Sequence, residues 1–342
     1  MLVPETTGTT KKPLRLAVCG KCKAKHWLSG DLGPLESVPC NKCNHPVILP
    51  FRIRQFELRE IIASGGMGIV YRSFDTTLER PVAIKLLKRE MLQDPHVIES
   101  FYREARAAAA LSHTNIIHIY NFDHFEDRPY IVMELADAGS LDAWIERDGR
   151  LPELQVLDLG IKMCSALAAA LKRGLLHRDI KPANILFNDE GEPKLVDFGL
   201  ARKTGDDEDP DAPVWGTPYY VAPEKIKREG EDFHSDMYSL GGTLYHALTG
   251  HVPFDAKTVE EVIAGHVHTP LTPAHQVCPD ITLPTSEALS IAMAKRPEDR
   301  FATYDDFRMA LEAARSMLLV NMVKHHQPIA PTKEPHRPWW KR

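Results

Sequence analysis

The pattern of apolar and polar residues changes along this chain. Between residues 51 and 139, short apolar runs alternate with turn residues, which predicts strands joined by tight turns. An alanine-rich stretch at 100–111 predicts a helix among them, and helical spacing dominates from 152–174 onward. Strands followed by helices predict an α+β protein whose two lobes meet at a cleft. The predicted strands are 56–63, 69–74, 81–87 and 130–135.

The segments that flank this large unit, 51–323, have a different character. Residues 1–13 are polar and non-periodic, which predicts a flexible leader. Residues 14–50 contain two pairs of cysteines and predict a small compact module. Residues 324–342 are rich in proline, basic residues and tryptophan, and they predict a loose tail.

Composition narrows the kind of protein. The chain has 342 residues, of which 43% are hydrophobic and 26% charged, and its net charge is −5. These values favour a folded protein and argue against one that mainly coats nucleic acid or an anionic membrane. No stretch approaches the roughly 20 apolar residues of a membrane helix, and the N-terminus lacks the apolar core of a secretory signal. We therefore expect a soluble cytoplasmic protein.

Three features of the strand-rich part fit a nucleotide site when they occur in this order. The small residues of Ala63-Ser-Gly-Gly-Met-Gly68 would let backbone amides approach a polyphosphate, although the spacing alone favours a plain hairpin turn. Lys85 follows in a predicted strand, and Glu104 follows in the predicted helix. An ATP site needs a lysine that is held by a glutamate beside such a loop.

The helical part begins with two further motifs, His177-Arg-Asp-Ile-Lys-Pro-Ala-Asn184 and Asp197-Phe-Gly199. With Ala222-Pro-Glu224 they complete an ordered set that resembles the signature of Hanks-type protein kinases, and the glycine-rich loop is most similar to the bacterial members. The resemblance covers about residues 56–320. It implies a bilobal kinase fold with an N-lobe at 51–135, a hinge at 134–139 and a C-lobe at 140–323.

The resemblance also implies roles for individual residues. Asp179 would accept or orient the proton of the substrate hydroxyl, and Lys181 would lie near the transferred phosphoryl group. Asn184 and Asp197 would hold Mg²⁺ or Mn²⁺, because hard cations prefer oxygen ligands. The implied ATP-binding set is Ile62, Ala63, Ser64, Gly65, Gly66, Met67, Gly68, Val70, Ala83, Lys85, Glu104, Met133, Glu134, Ala136, Leu186 and Asp197.

Two residues narrow the implied activity. Lys181, two residues after Asp179, and Thr217, which would bridge the two, resemble Ser/Thr kinases rather than tyrosine kinases. The implied reaction is transfer of the ATP γ-phosphoryl group to serine or threonine hydroxyls of protein substrates, with autophosphorylation. Glu224 and Arg300 match a structural pair of the family.

The implied activation segment, 197–224, and the glycine-rich loop both depart from the family pattern. The main candidate for activating phosphorylation is Thr204, and an acidic run at 206–211 follows it. One hypothesis is that this run partly replaces phosphate as the partner of Arg178, and a solvated acidic loop is at least as good an explanation. Ala63 stands where the family has its first loop glycine, and its methyl group predicts weaker ATP binding.

The N-terminal cysteines form two Cys-x-x-Cys pairs, Cys19 with Cys22 and Cys40 with Cys43. Their spacing is typical of a four-cysteine zinc ribbon rather than of disulfides in a secreted protein. Four thiolates complete the shell of Zn²⁺, so the metal would be structural. Basic residues and Trp27 leave open whether the ribbon docks a protein or a nucleic acid, or is a plain folded adaptor.

Two functions stay open from the sequence. The first is an active Ser/Thr kinase, and the alternative is a nucleotide-binding pseudokinase that acts as a zinc-ribbon scaffold. A pseudokinase usually lacks the equivalent of Lys85, Asp179 or Asp197, and all three are present.

Overall fold

The computed structural model describes residues 13–198, 202–203 and 218–325. Several predicted features lie outside these residues. They are Gly199, the candidate phosphorylation site Thr204, the acidic run 206–211, Thr217, and most of the predicted leader and tail.

Two small hairpins form the N-terminal module. Strand β1 (Arg15–Val18) pairs with β2 (Lys25–Leu28), and β3 (Ser37–Pro39) pairs with β4 (Pro46–Ile48). Successive side chains of a strand point to opposite faces. On β4, Val47 therefore packs with the cysteines, whereas Ile48 packs into the core of the neighbouring large sheet. The module and the sheet share this strand between their two cores.

A six-stranded antiparallel sheet forms most of the N-lobe, with the order β5-β6-β7-β8-β10-β9. All four strands predicted from the sequence are present, and the two edge strands, β5 and β9, are additional. Polar residues interrupt the apolar pattern of β9, as is usual at a sheet edge. The strands are β5 (Phe51–Ile53), β6 (Phe56–Ser64), β7 (Gly68–Asp75), β8 (Arg80–Leu87), β9 (Ile119–Phe125) and β10 (Arg128–Met133).

Helix α1 (Pro95–Ala109) packs beside this sheet and begins earlier than the predicted 100–111. The carboxylate of Asp94 accepts a hydrogen bond from the His96 amide at 2.9 Å, which caps the helix start. Proline at the first helical position needs no amide partner there. The earlier start adds one turn before Phe101, a buried residue that packs against the sheet.

The C-lobe is helical. Helix α3 corresponds to the predicted 152–174 and packs against α5 and α9 in the main core. By length and composition alone, α3 is the one described helix that would be able to cross a membrane, and half of its apolar window is buried within the protein. The helices are α2 (Leu141–Asp148), α3 (Glu153–Leu171), α4 (Pro223–Lys227), α5 (Phe233–Thr249), α6 (Val259–His268), α7 (Ala274–Val277), α8 (Leu283–Ala292) and α9 (Tyr304–His325).

Two pairs of short strands connect α3 to the rest of this lobe. Strand β11 (Leu175–Leu176) pairs with β14 (Arg202–Lys203), and β12 (Ile185–Phe187) pairs with β13 (Pro193–Leu195). The loop between β11 and β12 contains Asp179, and the segment after β13 contains Asp197. These short pairs therefore place two of the predicted catalytic acids at the boundary between the lobes.

Candidate active site

A cavity of about 1030 Å³ lies between the six-stranded sheet and the C-lobe. Every residue of the implied ATP-binding set except Ser64 lines it, and Asn184 does so as well. Cavities of this size, with mostly apolar walls and a few convergent polar groups, are typical of ligand sites. The structure thus brings together residues that lie more than 130 positions apart in the sequence.

The glycine-rich loop joins β6 to β7 and covers this cavity. The Gly65 amide donates to the Gly68 carbonyl at 3.0 Å, and the Lys88 amide donates to the Met67 carbonyl at 2.9 Å. A Cβ atom on Gly66 would meet no protein atom within 4 Å. The packing of the protein therefore leaves open space around Gly66.

Ala63 lies in β6 opposite Val70 and does not have a positive φ. Its methyl group therefore causes no backbone strain in this conformation. The predicted effect of Ala63 on ATP binding would have to arise when the loop moves.

Lys85 and Glu104 form the ion pair that the sequence predicted. The Lys85 Nζ atom lies 2.6 Å from Glu104 Oε1 and 2.7 Å from Oε2, and both side chains are largely buried. Burial alone would lower the pKa of Lys85, but the carboxylates of Glu104 and Asp197 outweigh it and raise that pKa. The cavity therefore contains a permanent cation held in one place.

Asp179 is held by two neighbours in its loop. Lys181 Nζ donates to Asp179 Oδ2 at 2.7 Å, and Asn184 Nδ2 donates to the same atom at 2.9 Å and to the Asp179 carbonyl at 2.7 Å. Among the described residues, Asp179 Oδ1 has no hydrogen-bond partner. A fixed carboxylate with one free oxygen can accept the proton of an incoming hydroxyl.

Asp236 holds the start of this loop through hydrogen bonds to its backbone. Its two carboxylate oxygens accept the amides of His177 and Arg178, both at 2.7 Å. His177 Nε2 donates to the Val196 carbonyl at 2.9 Å, and its ring packs edge-on against Phe198. These contacts connect the loop of Asp179 to the segment of Asp197.

Sequence reasoning missed Glu231, which is the partner of Arg178 within the described part of the chain. Arg178 Nε lies 2.9 Å from Glu231 Oε2, and Lys225 Nζ lies 3.0 Å from Glu231 Oε1. Only 4% of the Glu231 side chain is exposed. The acidic run at 206–211, which one of two hypotheses paired with Arg178, lies outside the described residues. A carboxylate from elsewhere in the chain thus already neutralises this arginine.

The predicted pair of Glu224 and Arg300 is present. Arg300 NH1 and NH2 donate to the two Glu224 oxygens at 2.7 and 2.8 Å, and Ser235 Oγ donates to Oε1 at 2.6 Å. The pair joins α4 to the segment before α9, so it belongs to the frame of the C-lobe.

The hinge leaves backbone groups free towards the cavity. The Glu134 amide donates to the His118 carbonyl at 2.8 Å, and its carboxylate pairs with Lys194 at 2.5 Å. In the described part of the chain, neither the Glu134 carbonyl nor the Ala136 amide has a hydrogen-bond partner. Both residues belong to the ATP-binding set that the resemblance implies, and free backbone groups of this kind can fix the orientation of a ligand.

The four N-terminal cysteines converge at the tips of the two hairpins. Cys19 Sγ lies 3.6 Å from Cys43 Sγ, Cys22 Sγ lies 3.5 Å from Cys40 Sγ, and all four sulfurs lie within 4.8 Å of one another. A disulfide needs about 2.05 Å. Tetrahedral zinc with Zn–S bonds of about 2.3 Å separates its sulfurs by about 3.8 Å. The cluster fits a zinc ribbon.

The surroundings of Cys40 favour its thiolate, which is the form that binds metal. Burial would raise the pKa of Cys40, but the amides of Lys42 and Cys43 and the neighbouring thiols outweigh it and lower the pKa to about 6. The His45 amide would lower the pKa of Cys43, whereas burial and the other three thiols outweigh it and raise that pKa to about 12. His26 Nε2 also lies 3.2 Å from Cys40 Sγ. Such outer contacts orient the ligands of a metal site.

A sheet-rich lobe and a helical lobe that meet at a lysine–glutamate pair and a fixed aspartate carboxylate define a protein kinase. The family model of the protein kinase domain matches residues 56–325, and the chain belongs to this family.

Curated relatives agree with this assignment. The chain is 36% identical over 263 residues to serine/threonine-protein kinase PknB of Mycobacterium leprae, covering 75% of this chain and 42% of that protein. It is 33% identical over 315 residues to Pkn1 of Myxococcus xanthus, covering 86% and 45%. It is 40% identical over 258 residues to PknK of Mycobacterium tuberculosis, covering 73% and 23%. The chain thus spans less than half the length of these relatives.

Proposed function

We propose that this chain is an active Ser/Thr protein kinase that transfers the γ-phosphoryl group of ATP to protein hydroxyls, including its own. The observation that carries the proposal is the position of Asp179, which Lys181 and Asn184 hold beside the cavity. The names of the relatives, which are serine/threonine-protein kinases, support the same function.

Each polar group of the cavity has a part in this reaction. Lys85 would bind the α- and β-phosphates, and the hinge would bind adenine. Asn184 and Asp197 would hold Mg²⁺ or Mn²⁺, which neutralises charge on the phosphates when it is bound. Asp179 would accept the hydroxyl proton, and Lys181 would stabilise the charge of the moving phosphoryl group. Positioning and charge supply most of the catalysis in such sites.

A radiolabel assay tests this proposal. Wild type and Asp179→Ala would be incubated with Mg²⁺ and γ-labelled ATP, alone and with a generic basic protein substrate, and labelled residues would be identified after acid hydrolysis. We expect phosphoserine or phosphothreonine from wild type and a loss of about 10³-fold or more in the variant. Mg·ATP binding without incorporation by wild type would favour the alternative, a pseudokinase scaffold. Phosphotyrosine would contradict the assignment of Lys181.

We also propose that Cys19, Cys22, Cys40 and Cys43 bind one structural Zn²⁺. Four thiolate ligands leave no open position for substrate. Elemental analysis of the purified chain should give one zinc per molecule, and Cys40→Ser should lower that ratio. Two disulfides in the native protein, detected by mass spectrometry without reduction, would contradict the proposal.

The partners and the cellular place of this kinase remain proposals. A cytoplasmic location fits a protein that uses ATP and keeps its thiols reduced for metal. Docking of a protein or a nucleic acid by the ribbon remains a prediction, and its apolar exposed face favours a protein. The exposed side chains of that face are Leu14, Leu16, Val18 and Trp27.

A further inference from the structure

Both cysteine hairpins touch the same carbonyl of the N-lobe sheet. His45, two residues after Cys43, donates through Nε2 to the Ile61 carbonyl at 2.8 Å. Gly20, which follows Cys19, lies so close that a Cβ atom built on it would be 2.8 Å from the same oxygen. Contacts this short to a backbone atom allow only glycine. The two halves of the metal site therefore meet β6 at one point.

Further contacts hold the residue before Ile61. Lys23 Nζ lies 3.0 Å from Glu60 Oε2. Ile48, which is 1% exposed, packs in the same core cluster as Ile61. The ribbon thus holds the dipeptide Glu60–Ile61 by a hydrogen bond, an ion pair and apolar packing.

At this dipeptide, the pairing of β6 with the neighbouring strand β7 is irregular. The pairing of β6 with β7 shifts register between Leu58 and Glu60, and again between Ile61 and Ala63. Irregular pairing of this kind leaves backbone groups outside the ladder and lets a strand bend. The ribbon contacts lie between the two shifts.

The same dipeptide leads directly into the nucleotide cavity. Ile62 and Ala63 follow it and line the cavity at the base of the glycine-rich loop. Ribbon residues line the cavity as well. They are Gly20, Lys21, Lys23 and His45. Any shift of Ile61 would therefore move the wall and the loop that an adenine nucleotide contacts.

We propose that the ribbon is part of the nucleotide site, with Gly20 and His45 as positioning residues. Through the Ile61 carbonyl they set the position of β6 and its loop, so metal in the cysteine cluster and Mg·ATP in the cavity bind cooperatively. This inference rests on the proposed function only in taking an adenine nucleotide as the ligand of the cavity. Linkage requires that nucleotide raise the zinc affinity by the factor by which zinc raises nucleotide affinity.

Matched variants test the positioning role by calorimetric titration of the zinc-loaded full chain with Mg·ATP. Gly20→Ala would push the knuckle away from Ile61, and His45→Ala would remove the hydrogen bond. We expect each to weaken nucleotide binding about five- to tenfold, the range of moderate coupling. Gly33→Ala is the control, because its Cβ would meet only Glu36 Oε2, at 3.4 Å. His45→Gln retains an N–H donor and should restore part of the affinity, which a mere packing role would not do.

The reciprocal measurement uses the zinc site as its readout. Zinc affinity of the native chain would be measured by competition with a chromophoric chelator, with and without saturating Mg·ATP. Wild type should hold zinc more tightly with nucleotide, and His45→Ala should show little difference.

The possible outcomes are separable. Failure of wild type to bind Mg·ATP would remove the proposed function itself. Normal nucleotide binding by wild type, Gly20→Ala and His45→Ala alike, or a zinc affinity that nucleotide does not change in wild type, would overturn the coupling alone. If Gly20→Ala loses zinc but His45→Ala does not, the nucleotide affinity of His45→Ala decides between the two results: weakened binding supports the coupling, and normal binding overturns it.

Discussion

The buried carboxylate of Glu231 forms ion pairs with two cationic side chains. Arg178 precedes Asp179, the proposed catalytic aspartate, and Lys225 lies in α4. In kinases with an arginine at this position, an added phosphate commonly supplies the anion that orders the activation segment. Here Glu231 supplies a permanent carboxylate to that arginine. We therefore expect the phosphatase-treated enzyme to keep much of its activity.

Replacing Glu231 tests its role. Glu231→Gln removes the one carboxylate that Arg178 and Lys225 contact in the described part of the chain, and breaking such a buried pair costs about 3 kcal/mol or more. We expect a lower free energy of unfolding in urea and a lower kcat for phosphatase-treated enzyme. Glu229→Gln is the control, because that exposed carboxylate lies 3.8 Å from Lys227 and should matter by less than about 1 kcal/mol. Equal behaviour of the two variants would contradict this role.

Ala63 raises a separate question at the same scale. It causes no strain where it stands, so its cost would appear only when the loop closes on nucleotide. Ala63→Gly should then lower the KM for ATP about threefold while kcat changes little, a difference of well under 1.4 kcal/mol. Steady-state kinetics at saturating protein substrate would measure it. An unchanged KM would show that β6 tolerates the methyl group throughout the cycle.

At the scale of elements, the pair of Glu224 and Arg300 joins α4 to the chain before α9. The Arg300 side chain is fully buried, and Arg300→Ala would leave the Glu224 carboxylate without its partner. We expect a loss of about 3–5 kcal/mol in the free energy of unfolding. Arg308→Ala, which removes only partly exposed pairs on α9, should cost less than about 1 kcal/mol. Urea unfolding of both variants would measure the difference.

The same pair predicts a dependence on pH. Burial would raise the pKa of Glu224, but the hydrogen bonds and charge of Arg300 outweigh it and hold the pKa below its usual 4.5. A carboxyl group with a lowered pKa in the folded state stabilises that state fully above about pH 4.5, and the stabilisation is lost as the pH falls through the lowered pKa. The difference in stability between wild type and Arg300→Ala should therefore shrink as the pH falls below 4.5. A stability difference that stays constant below pH 4.5 would contradict the lowered pKa of Glu224.

The elements also show what a sequence can and cannot predict. Glu224 and Arg300 lie 76 residues apart, yet their pairing was predicted because each belongs to a recognisable motif. Glu231 lies in a polar stretch, 228–232, whose composition is that of a solvated loop, and nothing local marks its burial. Strand β9 was missed for a related reason, since polar residues at a sheet edge hide the alternation. Local patterns record local structure, whereas these contacts depend on the fold that surrounds them.

At the scale of the whole molecule, the ribbon is joined to the kinase lobe rather than tethered to it. The sequence predicted the four cysteine ligands from their spacing. It did not predict the contact with Ile61, because Gly20 and His45 have no pattern of their own beyond the turns that they occupy. A small module ahead of a domain is usually interpreted as a detachable adaptor. Here its strand β4 contributes to two cores at once.

Replacing Ile48 would test how strongly the ribbon and the N-lobe stabilise each other. Ile48→Ala would leave a cavity in the core of the N-lobe sheet, and such truncations cost about 2–5 kcal/mol. Leu14→Ala removes a side chain that is 61% exposed on the same module and should change stability by less than about 0.5 kcal/mol. Thermal unfolding of the zinc-loaded proteins would compare them. If Ile48→Ala unfolded like wild type, the ribbon would be a separable adaptor.

The strand order of the N-lobe has a consequence for how this protein is made. Strands β5 to β8 are neighbours in the order in which they are synthesised, and the ribbon precedes them all. When each new strand has been synthesised, the strand with which it pairs is already present and is connected to it by a short loop. Short loops close with little loss of entropy. The cysteine cluster and its contact with Ile61 can form before the ribosome has reached the loop of Asp179. The ribbon can then serve as a folded surface on which the sheet of the nascent N-lobe assembles.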